Sequence, residues 1–130
     1  MMRGLISFTA ALTAAALSLT AQAAGSLSDQ YKQMGSVAAV AALCLNSKAI
    51  PDALGQAIAT AERKDPRTAP LLRSLVEDYN AAYAYAAQHQ TIWNGTQQAY
   101  SKAPIDCANA EDRAQVQGFE TLILQQLRGN

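Results

Sequence analysis

The sequence predicts an all-α protein, a single four-helix bundle-like domain stapled by one disulfide. Apolar side chains recur three and four residues apart in four segments, which is the period of an amphipathic helix. No segment alternates apolar and polar residues as a half-buried strand does. The chain of 130 residues has the size of one domain, and its two cysteines, Cys44 and Cys107, offer a covalent staple for an alanine-rich core.

Residues 1–23 have the pattern of a secretory signal peptide. Arg3 gives a basic start, an apolar run extends from Leu5 to Leu19, and Ala21-Gln22-Ala23 places small residues at the −3 and −1 positions of a cleavage site. The run is too short and wrongly flanked for a membrane span. We therefore expect this leader to direct export.

Cleavage between Ala23 and Ala24 would leave a single helical domain over residues 24–130. No later segment is long and apolar enough to cross a bilayer, so we expect a soluble periplasmic protein. Without the leader the chain has one more acidic than basic side chain, and its tightest basic group is the pair Arg63-Lys64. Nucleic-acid binding requires a concentrated basic face, which argues against that class of function.

The first predicted helix runs from about Asp29 to Leu45, with Ser28 as its N-cap. Its apolar stripe is widened by further apolar neighbours, so this helix should be the most buried one. The stripe consists of Tyr31, Met34, Ala38, Ala41 and Leu45, and the widening residues are Val37, Val40, Leu43 and Cys44.

The second predicted helix begins at Pro51-Asp52, because a proline is tolerated in a first turn, and Asp65-Pro66 ends it. The third extends from about Pro70 to Trp93, where Asn94-Gly95 stops it. Thr96 to Ser101 is expected to add at most one helical turn. The inner faces of these two helices consist of Leu54, Ala57, Ile58 and Ala61, and of Leu72, Leu75, Val76, Tyr79, Tyr83, Ala86 and Ala87.

The fourth predicted helix begins near Asn109, with Asp112 three residues later in a loose capping pattern, and Gly129 terminates it. Its stripe consists of Val116, Phe119, Leu122, Ile123 and Leu127.

Cys44 ends the first helix and Cys107 precedes the fourth. In an oxidising compartment an intramolecular disulfide is the expected state, with two free thiols or a bond between chains as the alternatives. The closed loop of roughly 60 residues would give about 4 kcal/mol of stabilisation in the chain-entropy model. Two cysteines and one distant His89 do not form a metal-ligand pattern, so neither a metal nor a cofactor is expected.

The sequence contains no recognisable catalytic constellation. His89 is the single histidine, and its neighbours at helical spacing are not acidic, so the orienting carboxylate of a nucleophile–base pair is missing. Glu77-Asp78 and Glu111-Asp112 are adjacent pairs, whose side chains diverge by about 100° around a helix. We therefore expect a protein that is not an enzyme.

Aromatic residues outside the core are the candidates for contact with a partner. Tyr79 and Tyr83 lie one turn apart and are most simply explained as core residues. Tyr85 lies on a different face of the same helix, and Trp93 lies at the end of that helix. Amphipathic aromatic side chains in such places often anchor interfaces. Together with Met34, Trp93 and Tyr85 are the predicted partner-binding residues, and ordinary packing is the alternative for Trp93 and Tyr85.

The features around the cysteines follow a definite order. An alanine-rich helix ends at Cys44, a polar link leads to Ile50-Pro51-Asp52 and an amphipathic helix, and a Pro104 loop, Cys107 and one last helix come later. This order resembles the PulS/OutS pilotin family of type II secretion, a family of small all-helical periplasmic proteins. The resemblance implies a Cys44–Cys107 disulfide and a groove that holds a partner's amphipathic C-terminal helix. Pilotins carry a lipidated cysteine at the cleavage site, where this chain has Ala24.

The predicted function is that of a non-enzymatic, pilotin-like periplasmic adaptor that holds an amphipathic segment of a secretion-system protein, such as the C-terminal segment of a secretin. One alternative is a periplasmic immunity protein that inhibits a type VI secretion amidase or another cell-wall toxin. A small periplasmic chaperone is the second alternative, although one histidine and a nearly balanced charge give a pH switch little to act on.

Overall fold

The computed structural model describes residues 21–129, with side chains from Leu27 onward. This part of the chain forms four α-helices and one short antiparallel hairpin, which confirms the predicted all-α class. The elements are α1 (Ala21–Leu45), α2 (Ala49–Lys64), α3 (Ala69–His89), β1 (Trp93–Asn94), β2 (Ala99–Tyr100) and α4 (Ala110–Leu127), with a 3₁₀ turn (Pro66–Thr68) between α2 and α3. None of the helices in residues 21–129 is long and apolar enough to span a membrane.

Residues 1–20 of the predicted leader lie outside the described residues, and the expected cleavage between Ala23 and Ala24 stays a prediction. The described chain is helical from Ala21, so Ser28 lies inside α1 and the prediction that it caps this helix is wrong. The Ser28 hydroxyl instead donates a hydrogen bond to Asp78 Oδ2 of α3 at 2.7 Å.

Helix α1 lies at the centre of the molecule and is the most buried helix, as predicted. Every residue from Met34 to Ala41 is buried, because α1 packs along α3 on one side and along α4 on the other. Leu43 is the exception to the predicted stripe, since half of its side chain is exposed (50%). Helix α2 packs chiefly against α4 through the face that includes Ile50 and Leu54.

A glycine allows α1 and α3 to approach each other closely. A Cβ atom built at Gly35 would overlap the backbone carbonyl oxygen of Tyr79. Only a residue without a side chain fits between the two backbones at this point. The contact fixes the spacing of the α1–α3 pair.

Helix α3 is shorter than predicted, since it ends at His89 rather than Trp93. Gln90 adopts the left-handed conformation (φ 60°) and its N–H bonds to Ala86 O, which closes the helix four residues early. The β-branched residues Thr91 and Ile92 then follow in non-helical backbone. The sequence-based stop at Asn94-Gly95 is therefore wrong.

Tertiary hydrogen bonds hold the segment after α3 in a hairpin instead of a helix. The backbone N–H of Trp93 donates to Ser36 Oγ of α1 at 2.9 Å, and that of Ile92 donates to Ser101 Oγ at 3.1 Å. Trp93 pairs with Tyr100 across the hairpin. Residues 95–98 form the turn of this hairpin, and the further helical turn that the sequence allowed between Thr96 and Ser101 does not form.

The start of α4 and the disulfide match the predictions. Asn109 Oδ1 accepts the N–H of Asp112, so the capping pattern is confirmed. Cys44 and Cys107 are bonded, across a sequence separation of 63, and this joins the end of α1 to the loop before α4. Near this bond the Ser47 hydroxyl donates to Glu120 of α4.

Candidate functional site

An open groove of about 820 Å³ lies between α1, the hairpin segment and α4. Its apolar lining combines side chains that follow α3 with side chains of α4. These are Ile92, Ile105, Phe119, Leu122 and Ile123. Only part of the predicted apolar stripe of α4 is covered by the rest of the fold. Val116 and Ile123 are buried, whereas the other stripe residues are half-buried and leave apolar surface available.

Leu122 illustrates how incompletely α4 is covered. Its side chain is half-buried, yet it is not one of the partly buried residues that pack against the core, whereas Phe119 is. Both residues line the groove. Leu122 therefore offers apolar area that the fold itself does not use.

Three glutamines contribute to the neutral polar lining, Gln30 and Gln33 from α1 and Gln115 from α4. Gln30 is only 4% exposed, and its buried Oε1 atom has no hydrogen-bond partner. Leaving a buried amide oxygen unpaired costs about 1–3 kcal/mol. A bound group that donates a hydrogen bond to this oxygen would recover part of that cost.

Two carboxylates, Asp29 and Asp112, also line the groove, and no lysine or arginine does. Asp29 accepts hydrogen bonds from Trp93 Nε1 (3.3 Å) and Gln98 Nε2 (2.8 Å), and Asp112 Oδ2 accepts the backbone N–H of Asp106 (2.8 Å). These donors are neutral, so neither negative charge is compensated by them. The rim of the groove is consequently acidic.

Trp93 lies at the edge of this groove in a defined orientation. Besides the bond from its indole nitrogen to Asp29, its ring has Lys32 Nζ at 4.7 Å from the centroid and the edge of Tyr100 at 5.1 Å. Such contacts from two elements, α1 and β2, restrict its rotamers. Trp93 lines the groove and is half-buried, which is a suitable state for an interface anchor.

Tyr85 lies elsewhere, in an aromatic row that joins α3 to the hairpin. Its ring stacks on Tyr100 (centroids 4.0 Å apart) and is tilted against His89 (4.2 Å), and 42% of the residue is exposed. It lines a second, shallower depression of about 650 Å³ that also includes Trp93. The structure therefore brings Tyr85 near Trp93 without placing it in the groove.

Met34 is a core residue with 3% exposure. It packs among the buried side chains of α1 and α3, so a partner could reach it only by displacing the core. Its position is that of a packed member of the apolar stripe predicted for the first helix.

Sequence reasoning missed the residues that form most of the groove. Phe119 and Leu122 were predicted as core because their spacing fits the α4 stripe, and spacing does not tell which part of a stripe a neighbouring helix covers. Gln30 carries no sequence signal, since glutamine on a helix is usually exposed.

The remaining polar groups serve structural roles. Burial raises the pKa of the Tyr31 phenol, and burial followed by the proximity of Tyr83 raises that of Tyr79 well above its usual range. Burial, with a contribution from Tyr85, raises the pKa of Tyr100. These phenols are neutral at neutral pH. Within residues 21–129 no three His, Cys, Asp or Glu side chains converge as metal ligands.

Comparisons with protein-family models, with curated proteins and with solved structures found no match to this chain. The groove described above is therefore the basis on which a function is proposed.

Proposed function

We propose that this protein is a non-enzymatic periplasmic adaptor, similar in action to pilotins, that holds an amphipathic helical segment of a secretion-system protein. The observation that supports this proposal is the open apolar groove between α1 and α4, with Trp93 at its edge. A helix presenting apolar residues at positions i, i+3 and i+4 is the ligand that such a groove accommodates.

A helix is the proposed occupant because part of the apolar face of α4 is left uncovered. Leu122 and Phe119 lie one turn apart on α4, and both line the groove beside Ile105. A helix laid along this face would complete the packing that α1 and α2 leave open. Burying apolar area at about 25 cal/mol per Å² would provide the main attraction.

The expected affinity is in the micromolar range, worth roughly 8 kcal/mol. The chain contains one tryptophan, at position 93, so its fluorescence reports on the groove directly. A tryptophan-free amphipathic peptide should shift the Trp93 emission to shorter wavelength. Trp93→Ala should weaken binding by at least about 1 kcal/mol, as measured by anisotropy of a labelled peptide.

A matched pair of leucine variants distinguishes the groove from apolar surface in general. Leu122→Asn places an amide in the groove without removing a core side chain and should weaken peptide binding about tenfold. Leu43→Asn makes the same change at an exposed position outside the groove and should leave the affinity unchanged. Equal effects of the two variants would contradict a site at the groove.

A pull-down from periplasm with the mature protein as bait identifies the class of partner. Recovery of an outer-membrane secretin, lost with Leu122→Asn and kept with Leu43→Asn, is the expected result. Recovery of a cell-wall amidase in its place would favour the immunity-protein alternative. Hydrolysis of peptidoglycan, peptide or ester substrates by the pure protein, absent from a mock preparation, would show that the protein is an enzyme after all.

A further inference from the structure

We propose that the groove selects a cationic amphipathic helix, whose basic side chains meet Asp29 and Asp112 at the rim and whose bound face offers a hydrogen-bond donor to Gln30. This inference rests on the proposed function and specifies the chemistry of the segment bound. It depends on charge and hydrogen-bonding features that the apolar lining alone does not provide.

The charge argument comes from the groove lining. Asp29 and Asp112 are its charged residues, and no cationic side chain lines it. The single ion pair among residues 27–129 joins Arg67 to Asp65, outside the groove, so neither rim carboxylate is held by a lysine or arginine. Lys32 Nζ lies over the ring of Trp93, and Arg113 donates a hydrogen bond to the carbonyl oxygen of Cys107. An acidic segment would meet two like charges here, whereas a basic one would meet opposite charges.

The second observation is independent of charge. Gln30 lines the groove, is almost fully buried and leaves its Oε1 atom without a partner. Asp29, the preceding residue of α1, also lines the groove, so a basic segment bound there meets both a carboxylate and an amide acceptor. Lysine and arginine are the side chains that combine a long apolar stem with donors at the tip. The stem suits the apolar lining and the tip suits these acceptors.

The test uses two synthetic helical peptides without tryptophan that share one leucine face and differ only in flanking residues, lysine in one and glutamate in the other. Binding is followed by Trp93 fluorescence and by anisotropy. The lysine peptide should bind about tenfold more tightly at low ionic strength. This preference should fall severalfold at about 0.5 M salt, because salt screens exposed charge pairs.

Adjacent residues provide a matched control. Asp112→Asn removes the rim charge and retains an oxygen that can accept the Asp106 N–H, and it should reduce the lysine-over-glutamate preference about threefold. Glu111→Gln makes the same charge change one residue earlier, at an exposed position that does not line the groove, and should leave the preference unaltered. Gln30→Leu should weaken the lysine peptide severalfold while leaving the melting temperature equal or higher.

The outcomes separate the two proposals. Equal affinity for both peptides, with binding still lost in Leu122→Asn, would overturn charge selection and support a groove that binds any amphipathic helix. Equal effects of Asp112→Asn and Glu111→Gln would show that overall charge, not the rim, is responsible, and would also overturn it. Unchanged binding by Gln30→Leu would remove the hydrogen bond from the proposal. Absence of binding by either peptide would overturn the proposed function itself.

Discussion

Helix α1 packs against α3 on one side and against α4 on the other, and the two interfaces close to different extents. On the α3 side the backbones meet at Gly35, and Tyr79, Ala82 and Ala86 are buried against α1. On the α4 side Val116 and Ile123 are the buried residues, and a groove of about 820 Å³ remains open. One helix thus forms both a closely packed interface and an interface that leaves a groove open.

The difference shows how a small helical protein can keep a binding surface exposed. The α3 side is held by close packing, which leaves no space for a ligand. The α4 side is held partly by the Cys44–Cys107 bond and by the Ser47–Glu120 hydrogen bond, which both act near the C-terminal end of α1. A covalent tie compensates for apolar contacts that the fold leaves unmade, so the groove can stay open without α4 detaching.

The largest loss of stability is expected at Gly35, where the backbones of α1 and α3 come closest. Gly35→Ala should destabilise the protein by about 4 kcal/mol or prevent folding, because the new Cβ overlaps Tyr79 O and the obstacle is backbone that cannot rotate away. Urea unfolding of the variant measures the change. Gly118→Ala on α4 is the matched control, since its Cβ meets nothing within 4 Å, and it should stabilise by about 0.5–1 kcal/mol. A Gly35→Ala variant as stable as the parent would show that α1 and α3 are further apart than described.

Loss of the disulfide should cause the next largest decrease in stability, and it should loosen mainly the α1–α4 interface. Cys44→Ser and Cys107→Ser should each lower the free energy of unfolding by about 3 kcal/mol, and the double variant should be no worse than either. Amide exchange should accelerate in α4 more than in α3. The intact protein should be two hydrogens lighter than the reduced chain by mass spectrometry. Equal acceleration of α3 and α4 would contradict a local role for the bond.

The smallest effect is expected at Tyr79, whose buried hydroxyl has no hydrogen-bond partner. Tyr79→Phe removes an unsatisfied group and should change stability at neutral pH by at most about 1 kcal/mol, in the stabilising direction. A loss of stability greater than that would show that the hydroxyl is paired.

Tyr79 also provides a pH test of the α1–α3 interface. Burial, and then the proximity of Tyr83, raises the folded-state pKa of Tyr79 above that of an unfolded tyrosine, which is about 10. Its contribution to stability is therefore present below about pH 10 and is lost as the pH rises toward the folded-state pKa. Tyr79→Phe should flatten this alkaline loss in thermal melts. An unchanged alkaline profile would assign the loss to other phenols.

The sequence by itself determined the class of fold and most of its elements. Periodic apolar residues defined four helices, Asn109 and Asp112 defined the start of the last one, and the pairing of Cys44 with Cys107 was the expected state. These features follow from local rules, because helical period, capping and the thiol inventory involve residues close in sequence or few in number.

Only the tertiary structure decided where α3 ends and where the surface stays open. Trp93 leaves the helix because its N–H bonds Ser36 of α1, a residue 57 positions away, and no local pattern encodes that bond. Leu122 and Gln30 become groove residues because of what α1, α2 and the hairpin leave uncovered. Periodicity identifies which side of a helix is apolar, whereas burial depends on how many neighbours cover that side, and this is a property of the assembled helices alone.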